Sequence, residues 1–301
     1  MFNEMKLSLV TINYNDVRGL KKTLASVAAQ TNTRTNTKTE WELEHIIIDG
    51  GSTDGSVDVI RDYATVHHTL YTIHWVSEKD NGIYNAMNKG IRMASGDYIQ
   101  ILNSGDIFAS DTVLSRMCVA LQTENDKRIN AQNEDKRVNV NLVDLIYGNM
   151  LGATGKGSFA GSKEVEYSLR QYFVSTLNHD CCWIKRSLFD DYGLYDENLK
   201  IVSDWKWFLQ TIGLGYVKPV YVDVDMTIFD GNGISSVNLG LRNAERRRVL
   251  EEVLPPAVLA DYDRFAFPME QVKRLKKYHL WGLVYFVDRV LFKLEKWHIL
   301  K

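Results

Sequence analysis

LSLVTINYN, residues 7–15, carries an apolar run straight into polar side chains, and the chain repeats this at HIIIDGGSTDG (45–55) and YIQILNSGD (98–106). Between the last two lies EKDNGIYNAMNKG, residues 78–90. Such runs read as buried strands whose polar tips emerge at one edge of a sheet, and in open α/β sheets ligands sit outside that carboxyl edge. The crossovers are legible too. Val17–Ala29 places Leu20, Leu24 and Val27 at helical spacing, and Ser56–Tyr63 and Ile83–Met93 read as further helices, with Tyr71–Val76 as another strand. Strand and helix alternate, so the expected fold class is α/β with one doubly wound, mostly parallel sheet.

Beyond residue 106 the pattern loosens. A helix is expected at about residues 111–121. The polar run QTENDKRINAQNEDKRVNVN (122–141) has almost nothing to bury and reads as a flexible insertion, as does TNTRTNTKTE (31–40) as a solvated loop. Asp144–Tyr147 resumes as strand, helical patterns fall near Leu188 and at Trp205–Ile212, and Tyr216–Val224 reads as strand.

Composition is permissive. The 301 residues are 45% hydrophobic and 25% charged with a formal net charge of −2, which fits one large domain or a domain plus appendage. No global Lys/Arg surplus argues for nucleic acid as a partner. Cys118, Cys181 and Cys182 show neither metal-site spacing nor a disulfide framework, which favours a reducing, cytoplasmic setting. The amino terminus is too briefly apolar for a signal peptide.

TINYN, IDGGSTDG, SEKDNGIYNAMNKG and ILNSGD, followed by NHDCCWIKRSLF, GLYDENLKIVSDWKWF and GNGIS, resemble the successive motifs of bacterial glycosyltransferase family 2 over about residues 5–236. The resemblance implies a GT-A fold with a single Rossmann-like sheet and an inverting glycosyltransferase of hexosyltransferase type. It would move a sugar from a nucleotide-sugar, UDP-linked by resemblance, to a glycan or lipid-linked acceptor in cell-surface polysaccharide biosynthesis. The expected domains are 1–236, of which 1–106 binds mainly the donor and 107–236 mainly serves the acceptor, and a helical appendage at 237–301.

That chemistry needs a base for the acceptor hydroxyl and a positive counter-charge for the departing diphosphate. A divalent cation, Mg²⁺ or Mn²⁺, held by carboxylate oxygen supplies the second, and Asp106 is the candidate ligand, although an Asp at that place also reads as a helix cap. Many family members carry Asp-x-Asp-Asp where this chain has Asn103, Ser104, Gly105 and Asp106. Asn103 still offers a carbonyl oxygen, so a weaker metal site is expected.

By resemblance Asp49 accepts a hydrogen bond from the nucleotide base, with Thr11, Tyr14 and Asn15 around it; Tyr14 reads either as a stacking platform or as ordinary packing. Asp80 and Asn81 would lie near the donor sugar or base, with Asn85 and Asn88 on one face of the following helix. Asp204 is the expected general base, held by Trp205 and Phe208 at i and i+3 spacing, while spacing alone reads it as an N-cap. His179 and Asp180 are placed at the acceptor or diphosphate, and Ser235 in GNGIS on a loop closing over the diphosphate; a packing histidine and a plain turn are the alternatives.

From Glu270 to Lys301 eight Lys and Arg face three acids, with Leu280, Leu283, Val287, Val290, Leu294 and Trp297 in a helical stripe. The run is too short to span a bilayer. It suits either the anionic surface of a membrane, at its cytoplasmic face, or packing on protein. Two rivals to the enzyme reading remain. A sugar nucleotidyltransferase would carry a glycine-rich basic loop after its first strand, which TINYNDVRGL lacks, and a non-catalytic nucleotide-sugar sensor would have no use for Asp204.

Overall fold

The computed structural model describes residues 5–30, 41–134, 142–153, 169, 172, 175–231, 238–261, 263–264, 282, 286–287 and 289–290. The chain divides into two compact units, Met1–Arg246 and Arg247–Lys301. In the first, strands β1 (Met5–Asn13), β2 (Trp41–Asp49), β3 (Thr72–Ser77), β4 (Tyr98–Ile101), β5 (Ile107–Phe108), β6 (Leu145–Leu151), β7 (Cys182–Lys185) and β8 (Val220–Ile228) form one sheet ordered β3-β2-β1-β4-β7-β6-β8-β5.

The first four strands are parallel, as the alternating pattern predicts. Their helices are α1 (Val17–Ala28), α2 (Ser56–His67) and α3 (Ile83–Met93). Leu20 and Leu24 of α1 pack with Ile47 and with Ile60 and Tyr63 of α2. Burying each large apolar side chain contributes roughly 1.5–3 kcal/mol, so this stripe alone commits α1 to the sheet. Gly90 lets α3 lie close on β1, because a Cβ there would stand 2.2 Å from a Val10 methyl.

Register then decides the ligand edge. Asn13 pairs with Asp49, and Asp49 with Ser77, so the last residues of β1, β2 and β3 form one row. Beyond β4, Ser104 N–H bonds to the Ile12 carbonyl at 3.0 Å, which lays the NSGD turn beside the end of β1. The short β7 runs antiparallel between β4 and β6. An antiparallel strand starts at the edge where its parallel neighbours finish, so the one-turn helix His179–Cys181 before β7 falls on the ligand edge. Gln100 fixes that turn, donating to the Asp180 carbonyl at 2.6 Å and accepting from the Trp183 indole at 2.8 Å.

The expected break after residue 121 is corrected: α4 runs unbroken from Val113 to Glu134. Val113, Leu114, Met117, Cys118 and Leu121 bury its first turns. The polar half holds no Gly or Pro, gains a Glu124–Lys127 pair at 2.6 Å, and fixes the chain at Val143 through Asn125 at 2.8 Å. A buried nucleus carries a polar extension that could not form alone. The segments 31–40 and 135–141 lie outside the described residues.

Further on, α5 (Ser187–Tyr192) and α6 (Ser203–Phe208) follow, α6 continuing into a π turn at Leu209–Gly213. The helix α7 spans Leu239–Val253. Among the described residues no helix is long and apolar enough to cross a membrane. Helical Phe286, Val287 and Val290 in the second unit are exposed, and the rest of the Glu270–Lys301 stripe lies outside the described residues.

Candidate active site

A cavity of about 780 Å³ opens at the carboxyl edge, lined by the ends of β1 and β4, the loops after β2 and β3, and Phe229, Asp230 and Gly231 after β8. Its floor is tied by one carboxylate. Asp49, fully buried, accepts from Asn13 Nδ2 at 2.8 Å, Ser77 Oγ at 2.7 Å, Ser52 N–H at 2.9 Å and Ser52 Oγ at 2.6 Å. Burial would raise its proton affinity, yet these donors hold it below the ordinary carboxylate range.

That geometry sets several of the expected donor residues behind the cavity wall. Asp49 has its four lone-pair sites filled from within the protein and does not line the cavity. Thr11 is also fully buried, its hydroxyl 3.0 Å from His45 Nε2. Asn15 braces the neighbouring loop, its side chain accepting from Thr53 N–H at 2.8 Å, and its φ of 49° is met by that bond. Asn81 is exposed and receives the Asn85 side chain on its N–H at 3.2 Å. None of these three lines the cavity. Asn13 does, and its Oδ1 is buried with no hydrogen-bond partner. The sequence reading passed over it because it lies inside the strand pattern.

Tyr14 and Asp80 face the cavity. Tyr14 is 67% exposed, which removes the packing alternative. Gly50 lets the two approach each other: a Cβ there would lie 3.0 Å from the Tyr14 ring and 3.1 Å from Asp80 Oδ2. Lys89 holds Asp80 at 2.6 Å.

At the other end Asn103, Asp106 and Asp230 line the cavity. Asp106 is no helix cap; β5 follows it directly, and its Oδ1 accepts from Asp230 N–H at 2.9 Å. Burial first, and then the charge of Asp180, push its carboxyl up to about 7. Asn103 Oδ1 is buried without a hydrogen-bond partner. A carboxylate raised by burial and by the charge of Asp180, with the Asn103 amide lining the same cavity, is a fit for a cation, though among the described residues no three acidic, His or Cys side chains gather into a metal cluster.

The structure brings Asp204 to this edge as well. It sits inside the first turn of α6 and makes no cap; Oδ1 accepts from Tyr84 of α3 at 2.8 Å, and Oδ2 lies 3.2 Å from His179 Nδ1. His179 Nε2 in turn lies 3.1 Å from Asn103 Nδ2. Burial opposes charge on the ring, but the hydrogen bond and charge of Asp204, with Asp180 and Asp106 behind it, raise His179 to about 9. The same partner holds Asp204 below its usual range in spite of burial. Asp180 is buried against Thr227 at 3.2 Å, and burial first raises its proton affinity. Glu197 explains the two asparagines of α3: it accepts from Asn85 at 2.7 Å and Asn88 at 2.8 Å, which fixes the helix that delivers Tyr84. Ser235 and residues 232–234 lie outside the described residues; Gly231 borders the cavity.

The model of the family described as glycosyl transferase family 2 matches residues 8–193. An uncharacterised glycosyltransferase of Mycobacterium tuberculosis is 30% identical over 76% of this chain and 77% of its own length. A PGL/p-HBAD biosynthesis glycosyltransferase of Mycobacterium bovis is 24% identical over 54% of this chain and 56% of its own. Among solved structures, S. aureus TarS in complex with UDP is similar at a TM-score of 0.56 and 18% identity, over 75% of this chain and 60% of that one. A mannosyltransferase of Pyrobaculum calidifontis in complex with GDP-Man and Mn²⁺ is similar at 0.55 and 15%, over 81% and 62%. These likenesses are to the GT-A fold.

Proposed function

The chain belongs to glycosyl transferase family 2 and is a glycosyltransferase, and we propose that it is the inverting kind, moving a sugar from a UDP-sugar to a hydroxyl of a glycan or lipid-linked acceptor of a cell-surface polysaccharide. The observation that carries this reading is the His179–Asp204 pair, which stands just behind Asn103 of the cavity wall, His179 Nδ1 lying 3.2 Å from Asp204 Oδ2. It puts a cation and a carboxylate within one hydrogen bond of each other, as displacement of a diphosphate by a hydroxyl requires.

Asp204 takes the proton. Asp204 raises the proton affinity of His179 and so favours the charged ring, which is the wrong form to act as base. Asp204 is held in its charged form and keeps lone-pair capacity beyond that given to Tyr84, His179 and the Trp205 N–H. As the acceptor oxygen closes on the anomeric carbon its proton passes to Asp204, the bond to the diphosphate breaks on the opposite face, and positive His179 offsets the charge that departs. No covalent sugar–enzyme intermediate arises.

Tyr14 stacks on the base, Asp49 serves the base end of the site through Asn13, which lines the cavity, and Asp80 meets the donor. UDP in the TarS complex supports the choice of nucleotide. Asp106 and Asn103 would hold Mg²⁺ or Mn²⁺, which when bound supplies positive charge at the diphosphate. The protein works in the cytoplasm, with the second unit resting on an anionic membrane through exposed Phe286, Val287 and Val290 beside Arg289.

Purified protein incubated with a panel of UDP-sugars, divalent metal and candidate acceptors should release UDP faster when the right acceptor is present. A protein that binds UDP-sugars and never releases UDP would be a sensor, and one that binds none would end the donor reading.

A further inference from the structure

The recognisable motifs stop before α7, yet α7 carries two arginines on the side of Asp204. Arg242 and Arg246 stand four residues apart on one face of that helix. Between them Glu245 anchors the helix, its buried carboxylate accepting the N–H groups of Lys200 at 2.8 Å and Ile201 at 2.9 Å, just ahead of α6. The Arg246 guanidinium lies over the Trp205 ring, 5.0 Å from its centroid, and the Trp205 indole is itself held by the Tyr172 carbonyl at 2.6 Å.

Arg246 is therefore held over the residue next to Asp204. Its Nε is buried and makes no hydrogen bond among the described residues. Burial first, and then the charge of Arg242, lower its proton affinity, while Asp204 works the other way. A guanidinium does not shed its proton in a protein, so this cation stays charged, beside a second cation, with a donor unmet. A phosphoryl oxygen is the partner that matches such a planar fork.

The imidazole of His179 tells the two sides apart. Its Nε2 faces Asn103, which lines the donor cavity, and its Nδ1 faces Asp204. No described residue of α7 lines that cavity. We propose that Arg246, with Arg242 beside it, binds a phosphoryl group carried by the acceptor close to the hydroxyl that reacts. The acceptor is then a phosphorylated glycan or a lipid phosphate, an inference that rests on Asp204 being the acceptor's base.

The test uses the full chain saturated with UDP, so that the donor cavity is filled. Inorganic phosphate and octyl phosphate are titrated in by calorimetry, with octyl glucoside as the uncharged control. Both phosphates should bind the native protein, and Arg246→Gln should weaken both by about tenfold or more while leaving UDP affinity unchanged. Arg246→Lys, which keeps charge without the fork, should lose less, and Arg242→Gln carries the same test if Arg246→Gln does not fold. Tighter octyl phosphate assigns the phosphate to a lipid; equal affinities assign it to a glycan. If Arg246→Gln weakens UDP as strongly as phosphate, the guanidinium serves the donor and the proposal is overturned. It is equally overturned if the UDP-saturated native protein takes up neither phosphate. A native protein that fails to bind UDP at all instead removes the donor reading, whatever Arg246 does.

Discussion

His179 Nδ1 and Asp204 Oδ2 stand 3.2 Å apart, on side chains separated by 25 residues of chain. The pairing drives their proton affinities in opposite directions, raising the imidazole to about 9 and lowering the carboxyl. Each holds the other in the charged form, one as cation and one as proton acceptor.

Asp204→Asn should expose this division of labour. The proton leaves the acceptor only as the transition state forms, so turnover should fall by roughly 10²-fold or more while UDP affinity stays within about twofold. Steady-state rates with calorimetric UDP titration read both numbers. Turnover near the native rate would move the base to Asp180.

Asp106→Ala should weaken UDP binding in Mg²⁺ or Mn²⁺ by about tenfold and erase any difference between metal and chelator. The comparison is a four-way titration, native and variant, each with metal and with chelator. Native protein that binds and turns over equally well in chelator would show that the charges of His179 and nearby basic groups suffice.

Asp49 should matter to stability before it matters to chemistry. Asp49→Ala strands the Asn13, Ser52 and Ser77 donors and should cost about 3 kcal/mol in denaturant unfolding. The carboxyl is held below its ordinary value in the fold, so its contribution is complete above the unfolded pKa and is lost as pH falls through the folded one. Native stability should therefore decline from roughly pH 4 downward more steeply than that of Asp49→Asn. Parallel acid limbs in the two proteins would refute the assignment.

These contrasts show what could be read without coordinates. The parallel half was legible because a buried parallel strand is a continuous apolar run, and IIID and LVTIN are such runs. β5 and β7 were not, since two- and four-residue strands carry no periodicity of their own. Asp204, His179 and Asp106 came from motif resemblance, and the structure gathers them at one edge. Asp49 and Thr11 lie one layer behind the cavity wall, a position the motif does not show, because which carboxylate faces a cavity depends on how many donors converge on it from other strands. Arg246, Asp230 and Asn13 escaped notice for a related reason: stacking on Trp205, lying beside Asp106 and presenting an unbonded oxygen are properties of the assembled site.

Truncation near Pro268 separates the tail from the enzyme. The shortened chain should lose binding to anionic vesicles, and binding of the full chain should fall steeply with added salt as the basic charges are screened. Release of UDP with a soluble acceptor analogue should persist. A truncated chain that aggregates or unfolds would mean that the stripe packs on protein.

The reversal of β7 also makes the enzyme a monitor of its own assembly. In the nucleotide half β1 holds β2 through nine paired residues, whereas His179 reaches Asn103 only once β7 has paired against β4 through two. So short a pairing opens before the long parallel ones. On the proposed mechanism, a molecule whose β7 has come loose would keep the nucleotide half but lose the His179–Asp204 pair, and so would fall silent rather than spill activated sugar into water. Amide exchange at Cys182–Lys185 should accordingly track the loss of turnover under mild denaturant more closely than exchange in β1 or β2.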